Sequence, residues 1–194
     1  MGRDRQAQGY CRGIGFLVFA LALALLPAAG RADGALTGEP DPTSYHYVAH
    51  YAVRIDASAD VVWPHLRRMN EWMYEFELSH VSGTPGAEGE VRRLYADQDF
   101  FIQVTRQIPD RLLVIANLPS TFEGEYSTGV AVITLDDSND GMTIVDLTMS
   151  RRYTWLGEGE NPLRARRASA AFTESNDAMW ERFLDRLRTL AEAP

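Results

Sequence analysis

The chain has 194 residues, 45% hydrophobic and 24% charged, a balance that excludes intrinsic disorder and fibrous repeats and fits one globular domain. All 19 basic residues are Arg and none is Lys, against 27 Asp and Glu, so the formal charge is -8. Surfaces that track a phosphate backbone must be basic to release counterions, so nucleic acid is excluded as a partner.

Arg3, Arg5 and Arg12 precede an unbroken apolar run from Ile14 to Leu26, followed by Pro27 and the small residues Ala28, Ala29, Gly30 and Ala32. That order is the pattern of a secretory signal peptide over residues 1–32. The run holds 13 residues, short of the roughly 20 that a spanning helix needs, which disfavours the alternative of an uncleaved anchor. Cleavage after Ala32 leaves 162 residues, with Ala28-Ala29-Gly30 as the competing site. Four Arg and Asp4 leave with the segment, taking the remainder to -11. So acidic a domain is not expected to dock on anionic lipid, nor to insert stably in a membrane once cleaved. The expected location is periplasmic or extracellular. Cys11, the only cysteine, lies in the segment to be removed, so the exported domain has no disulfide and relies on its core.

Asp33 to Ser44 is rich in Gly, Pro and Asp and reads as a flexible leader. From Tyr45 to Ile55, Tyr45, Tyr47, Ala49, Tyr51, Val53 and Ile55 share one parity while His46, His50 and Arg54 share the other, which predicts a half-buried strand. Ser58 is a candidate N-cap for a helix over Ala59 to Met69. Pro64 inside that segment predicts a short or kinked helix. A second helical turn is expected around Asn70 to Tyr74, carrying Trp72.

Turn signals then recur at strand spacing, at Thr84-Pro85-Gly86, Asp97-Gln98, Pro109-Asp110-Arg111, Pro119 to Gly124 and Asp136 to Gly141. They predict an antiparallel meander of about six further strands. Asn139-Asp140-Gly141 is a hairpin signal, because primed turns require positive φ. Pro162 opens a breaker-free stretch to Ala193 in which Phe172, Met179, Phe183, Leu187 and Leu190 form a stripe, predicting one long amphipathic helix. Glu-Gly-Glu recurs at 88, 123 and 158, but its flanks do not match; turn glycines explain it better than an internal repeat.

Ile55-Asp56-Ala57, Ser58-Ala59-Asp60-Val61-Val62-Trp63-Pro64-His65-Leu66 and Trp72 together resemble the opening of the START-like (SRPBCC) superfamily, nearest its polyketide cyclase/dehydrase and lipid-transport branch. Gly89-Glu90-Val91-Arg92-Arg93 and Pro109-Asp110-Arg111-Leu112 are similar to that branch's strand start and acidic turn. The resemblance runs from Tyr45 to Ala193. It implies an α+β helix-grip fold, in which a curved antiparallel sheet of about seven strands wraps a long C-terminal helix, with two short helices after the first strand. It also implies a cavity between sheet and helix. Members bind sterols, lipids, quinones, hormones or polyketides, and a minority catalyse cyclisation or dehydration; fold alone does not choose among these.

Alternate residues of a sheet with one buried face point inward. Phe100, Ile102 and Val104 share a parity, as do Leu112, Val114 and Ala116, and again Val145, Leu147 and Met149. With Leu94 on its strand and Phe172, Met179 and Phe183 on the terminal helix, these are the candidate ligand-binding residues. The same residues equally make a filled core, and apolar parity does not separate the two. Arg92 and Arg151 fall on the inward parity. Either anchors an anionic ligand group bidentately or rests at a rim with its head in water.

Catalytic motifs are sparse. There is no Gly-x-Ser-x-Gly elbow, and no cysteine follows Cys11. His46 and His50 lie on a strand, where their spacing separates them by about 13 Å, too far for one metal ion. Asp136 to Gly141 resembles a calcium loop, but Leu147 stands where the bidentate Glu belongs. No metal or cofactor is expected. For acid/base chemistry, Tyr126, Tyr153 and Glu90 are the only candidates near a cavity.

Three functions follow. The first is an exported carrier holding a small hydrophobic or amphipathic molecule. The second is a cyclase or dehydrase with Arg92 or Arg151 beside Tyr153 or Glu90. The third is an interaction module with a filled core, docking through its acidic face or the aromatic edge at Trp155.

Overall fold

The computed structural model describes residues 41–193 apart from 97 and 139. The expected signal peptide and its cleavage sites, Cys11 and most of the expected leader therefore lie outside the described residues. The elements are β1 (Ser44–Ile55), α1 (Ala59–Arg67), α2 (Met69–Trp72), β2 (Ser79–Ser82), β3 (Val91–Tyr95), β4 (Gln98–Ile108), β5 (Leu112–Phe122), β6 (Glu125–Asp137), β7 (Thr143–Trp155), α3 (Arg164–Arg167) and α4 (Ala170–Ala191). All seven strands form one antiparallel sheet in the order β1-β7-β6-β5-β4-β3-β2. The chain thus has the expected helix-grip architecture, a seven-stranded sheet with a long terminal helix and two short helices after its first strand.

The inner face of the sheet meets α4, whose Trp180, Phe183, Leu184 and Leu187 are buried. Val145 and Leu147 of β7, Ile133 of β6 and Ile55 of β1 are fully enclosed with Val62, Leu66 and Trp72 of the short helices. Each such side chain contributes about 1.5–3 kcal/mol by leaving water. Trp72 donates its indole N–H to the Leu66 carbonyl at 3.0 Å, so its polar edge is satisfied while its ring packs edge-on against Phe183. The recurrent Glu-Gly-Glu glycines Gly89, Gly124 and Gly159 all adopt positive φ, which accounts for their recurrence through turn geometry.

Three local expectations are corrected. β5 turns Leu113 and Ile115 inward, so Leu112, Val114 and Ala116 face the other side of the sheet. Residues 112–116 are apolar on both parities, and a register shift between Val104 and Arg106 decides which set faces in. The terminal helix is interrupted after Arg167. Ser169 accepts a hydrogen bond from the Phe172 amide at 3.2 Å and starts α4 as its N-cap, leaving α3 as a separate turn. The leader ends earlier than Ser44, because β1 begins there and the Thr43 carbonyl accepts from the Trp155 amide at 2.7 Å. The hairpin expected at Asn139-Asp140-Gly141 is present, since β6 and β7 pair antiparallel from Asp137 and Thr143 onward; its connection spans residues 138–142, with Gly141 at φ +78°.

Glu90 is 1% exposed and ties the sheet edge together. It accepts from Arg92 Nε at 2.8 Å and from the Gly86 amide at 2.7 Å, while Arg67 of α1 holds the Gly86 carbonyl. Burial pushes its carboxyl up, but bonds from Arg92, the Gly86 amide and His80 outweigh it and hold the group below the ordinary range. A depressed carboxyl stabilises the fold above its unfolded-state value of about 4.3 and loses that contribution as pH falls through the folded value. Glu90→Gln is expected to cost about 3–5 kcal/mol at neutral pH by stranding Arg92, and to flatten the acid limb of stability, both read from urea melts at neutral pH and at about pH 3.5. Ser169→Ala removes the cap and is expected to lower stability by about 1 kcal/mol in the same melts.

Candidate functional site

A cavity of about 360 Å³ lies between the inner face of the sheet and α4. Its existence follows from the side chains β6 turns inward, Ser127, Gly129 and Ala131, which are too short to reach the helix. Paired registers set its walls in rows. Met149, Ala131 and Ile115 make one row, Arg151, Gly129, Asn117 and Ile102 the next, and Tyr153 with Ser127 the third. Polarity therefore rises along β7 from Met149 to Tyr153. Leu94, Met73 and Phe76 close the apolar side, and Met179, Trp180 and Asn176 of α4 form the roof.

Arg151 is the polar centre. Asn117, with its amide oxygen turned to the guanidinium, accepts from Nε at 2.9 Å and Nη2 at 3.0 Å. Arg151 Nη1 donates to the Tyr153 hydroxyl at 3.3 Å, and the guanidinium lies 5.5 Å from the Phe100 ring centre. Glu125, 1% exposed, is held by Arg167 Nε at 3.0 Å and Nη2 at 2.9 Å and by Asn161 Nδ2 at 2.8 Å. The Arg167 guanidinium also covers the Tyr153 ring at 4.3 Å, a favourable cation–π placement. This cluster stops the cavity at the end where α3 joins the sheet.

On the β1 wall, Tyr47 and Tyr51 share a 2.8 Å hydrogen bond, and Tyr51 donates to Asp177 of α4 at 2.7 Å. Burial pushes both phenols above their ordinary range, as it does Tyr95. All three phenols therefore stay protonated at neutral pH, and Tyr47 and Tyr95 offer the cavity neutral hydroxyls. Among the described residues no group of three or more His, Asp or Glu is placed to hold a metal ion. His46 bonds Ser150 and His50 bonds Asp146 on the outer face of the sheet.

Of the candidate residues, Leu94, Phe100, Ile102, Met149, Arg151 and Met179 line the cavity. Val104, Val145, Leu147 and Phe183 instead pack in the filled part of the core, so cavity wall and core are both present and adjacent. Phe172 stands edge-on to Tyr47 beside the Arg167 guanidinium. Arg92 is turned to Glu90, away from the cavity. Val114 and Ala116 are on the opposite face, and Ile115 and Asn117 take the places expected of them. The small residues of β6 carried a readable signal, since Ser127, Gly129 and Ala131 alternate on one parity. Glu125 and Arg167 carried none, because within one continuous helix Arg167 reads as solvated.

No family model and no curated protein sequence matches the chain. Solved structures do. Zhui aromatase/cyclase from Streptomyces sp. R1128 superposes with TM-score 0.56 at 19% identity, covering 76% of this chain and 94% of that one. Norcoclaurine synthase from Thalictrum flavum, in complex with dopamine and hydroxybenzaldehyde, gives TM-score 0.50 at 13% identity over 85% and 94%. A protein of unknown function from Staphylococcus aureus, SA2116, gives 0.57 at 11% over 78% and 97%. At these identities the likeness speaks for the fold alone: the chain carries the helix-grip fold of these structures.

Proposed function

We propose that this protein is an exported carrier that holds one small hydrophobic or amphipathic molecule between its sheet and α4. The observation that carries the reading is the cavity itself. Its volume of about 360 Å³ falls at the low end of the range of roughly 300–1,000 Å³ common to ligand sites. One side offers Met73, Leu94, Ile102 and Ile115, the other hydroxyl, amide and guanidinium groups. That pairing suits a molecule with a hydrocarbon body and a polar end. Norcoclaurine synthase, which shares the fold, is seen with two small aromatic compounds, so the architecture accommodates occupants of this size. An interaction module would need the space between sheet and helix to be filled, and the cavity weighs against it. Export rests on the basic, apolar and small-residue order of residues 1–32.

A second reading draws on Arg151 and Tyr153, which meet on one wall at 3.3 Å. A cyclase or dehydrase needs such a pair, one group to polarise a carbonyl oxygen and the other to pass a proton. Glu90 and Arg92 drop out of that scheme because they bond each other at the sheet edge.

Two measurements test the proposal. Native mass spectrometry of protein purified from the compartment to which it is exported is expected to show a bound small molecule and an N-terminus beyond residue 30 or 32. Ala131→Phe fills the cavity from β6 and is expected to abolish that adduct while leaving the near-ultraviolet circular dichroism of a folded domain. An adduct unchanged in this variant, or unprocessed protein retained in the cytoplasm, contradicts the corresponding part of the reading.

A further inference from the structure

We infer that the molecule held in the cavity carries an anionic end group, a carboxylate or another oxyanion, and that Arg151 is its counter-ion. The inference rests on the binding reading above and adds the chemical class of the ligand. Among the described residues, three ordinarily charged side chains line the cavity: Glu125, Arg151 and Arg167. Glu125 and Arg167 neutralise each other through two bonds of 3.0 and 2.9 Å. Arg151 has no carboxylate within 4 Å among the described residues; its polar partners are the neutral Asn117 amide and the Tyr153 hydroxyl. The described lining itself therefore bears one uncompensated positive charge, with the Asp177 carboxylate outside the lining and bonded to the Tyr47 and Tyr51 hydroxyls, although the chain as a whole is formally -8.

A guanidinium has five N–H donors. Asn117 takes one from Nε and one from Nη2, and Tyr153 takes one from Nη1. Among the described residues, one donor on each terminal nitrogen is left without a protein acceptor, which is the number a carboxylate engages bidentately. Placing a half-buried charge against the Phe100 and Tyr153 rings, 5.5 and 6.0 Å away, recovers part of its lost hydration. An oxyanion supplies the rest, together with the neutralisation that a neutral ligand cannot give. Asn117 also fixes the guanidinium from the sheet side, so the fork is oriented before any ligand enters. The row behind it, Met149, Ala131 and Ile115, is apolar and receives the ligand's uncharged body. The volume admits a single short chain or a small ring system rather than a two-chain lipid.

The test compares each acid with its alcohol: 2-naphthoate with 2-naphthylmethanol, and decanoate with decanol, titrated calorimetrically into purified protein stripped of bound material. In whichever pair binds, the acid is expected to bind at least about tenfold more tightly than the alcohol; the pair that binds better identifies a ring or chain skeleton. Arg151→Met is expected to bring the acid down to the affinity of the alcohol and leave the alcohol within about threefold. Arg151→Lys retains the charge and is expected to keep the preference for the acid. Equal affinities for acid and alcohol in the unaltered protein, a comparison independent of any variant's folding, overturn the assignment while leaving the carrier reading intact. So does a preference that survives in Arg151→Met. Failure of all four compounds, with an empty protein in native mass spectrometry, overturns the carrier reading itself.

Discussion

The separation between the sheet and α4 is set at β6. A helix lying on a sheet ordinarily approaches until side chains from both surfaces interlock at the density of an organic crystal. Along β6 dense packing is achieved near Ile133 and Leu135, which are buried, α1 being in contact with the strand, and it fails where the inward positions become Ala131, Gly129 and Ser127. Nothing on β6 there is long enough to meet Met179 or Asn176. Gly129 cannot be enlarged without disturbing its neighbour, because a Cβ would stand 2.8 Å from the Ser150 carbonyl oxygen and 3.2 Å from the Arg151 Cα. The same close contact between strands that keeps this position small also sets Arg151 at the edge of the open space. Filled core and cavity are thus one surface, differing only in side-chain length along a strand.

Three inward-facing arginines illustrate how a guanidinium is accommodated in different ways. Arg92 and Arg167 each face a carboxylate that is 1% exposed, and each pair is completed by a further donor, the Gly86 amide in one case and Asn161 in the other. Such pairs are specific in geometry, and their desolvation cost is met only because every oxygen is occupied. Arg151 lacks that arrangement. Its partners are an amide, a hydroxyl and two ring faces, which orient the group without cancelling its charge. The two closed pairs belong to the framework, whereas the open one belongs to the cavity.

Most of the architecture was legible in the residues, and the misreadings share a cause. β1 and β7 keep most of their polar residues on one parity, with Val48, Ala52 and Ile144 as apolar exceptions, so their inner faces could be assigned by parity. β5 could not, because Leu112 through Ala116 are apolar on both sides, and its inward set continues to the polar Asn117. A rule that looks for apolar continuity rejects a strand face that ends at a polar cavity-facing residue. The cavity was only half legible for a related reason: Leu94 and Ile102 line it while Val104 and Leu147 do not, and these side chains have the same hydropathic character. What separates Ile102 from Leu147 is the row each occupies: Ile102 lies in the row of Asn117 and Gly129, whereas Leu147 pairs with the fully buried Ile133. Arg167 was hidden by the helix break, since a Ser in a run of Ala and Arg is a weak stop signal until its hydroxyl is seen to accept from Phe172.

The break between α3 and α4 divides the labour of the terminal segment. Arg167, which plugs the polar end through Glu125, sits on a four-residue turn whose placement is governed by Asn161 and the start of β1. Met179 and Trp180, which contour the chamber, ride on a different rod with its own first hydrogen bonds. Contour and plug are therefore separately heritable: a lineage can exchange residues along the rod to admit a new occupant while the stopper keeps its seat.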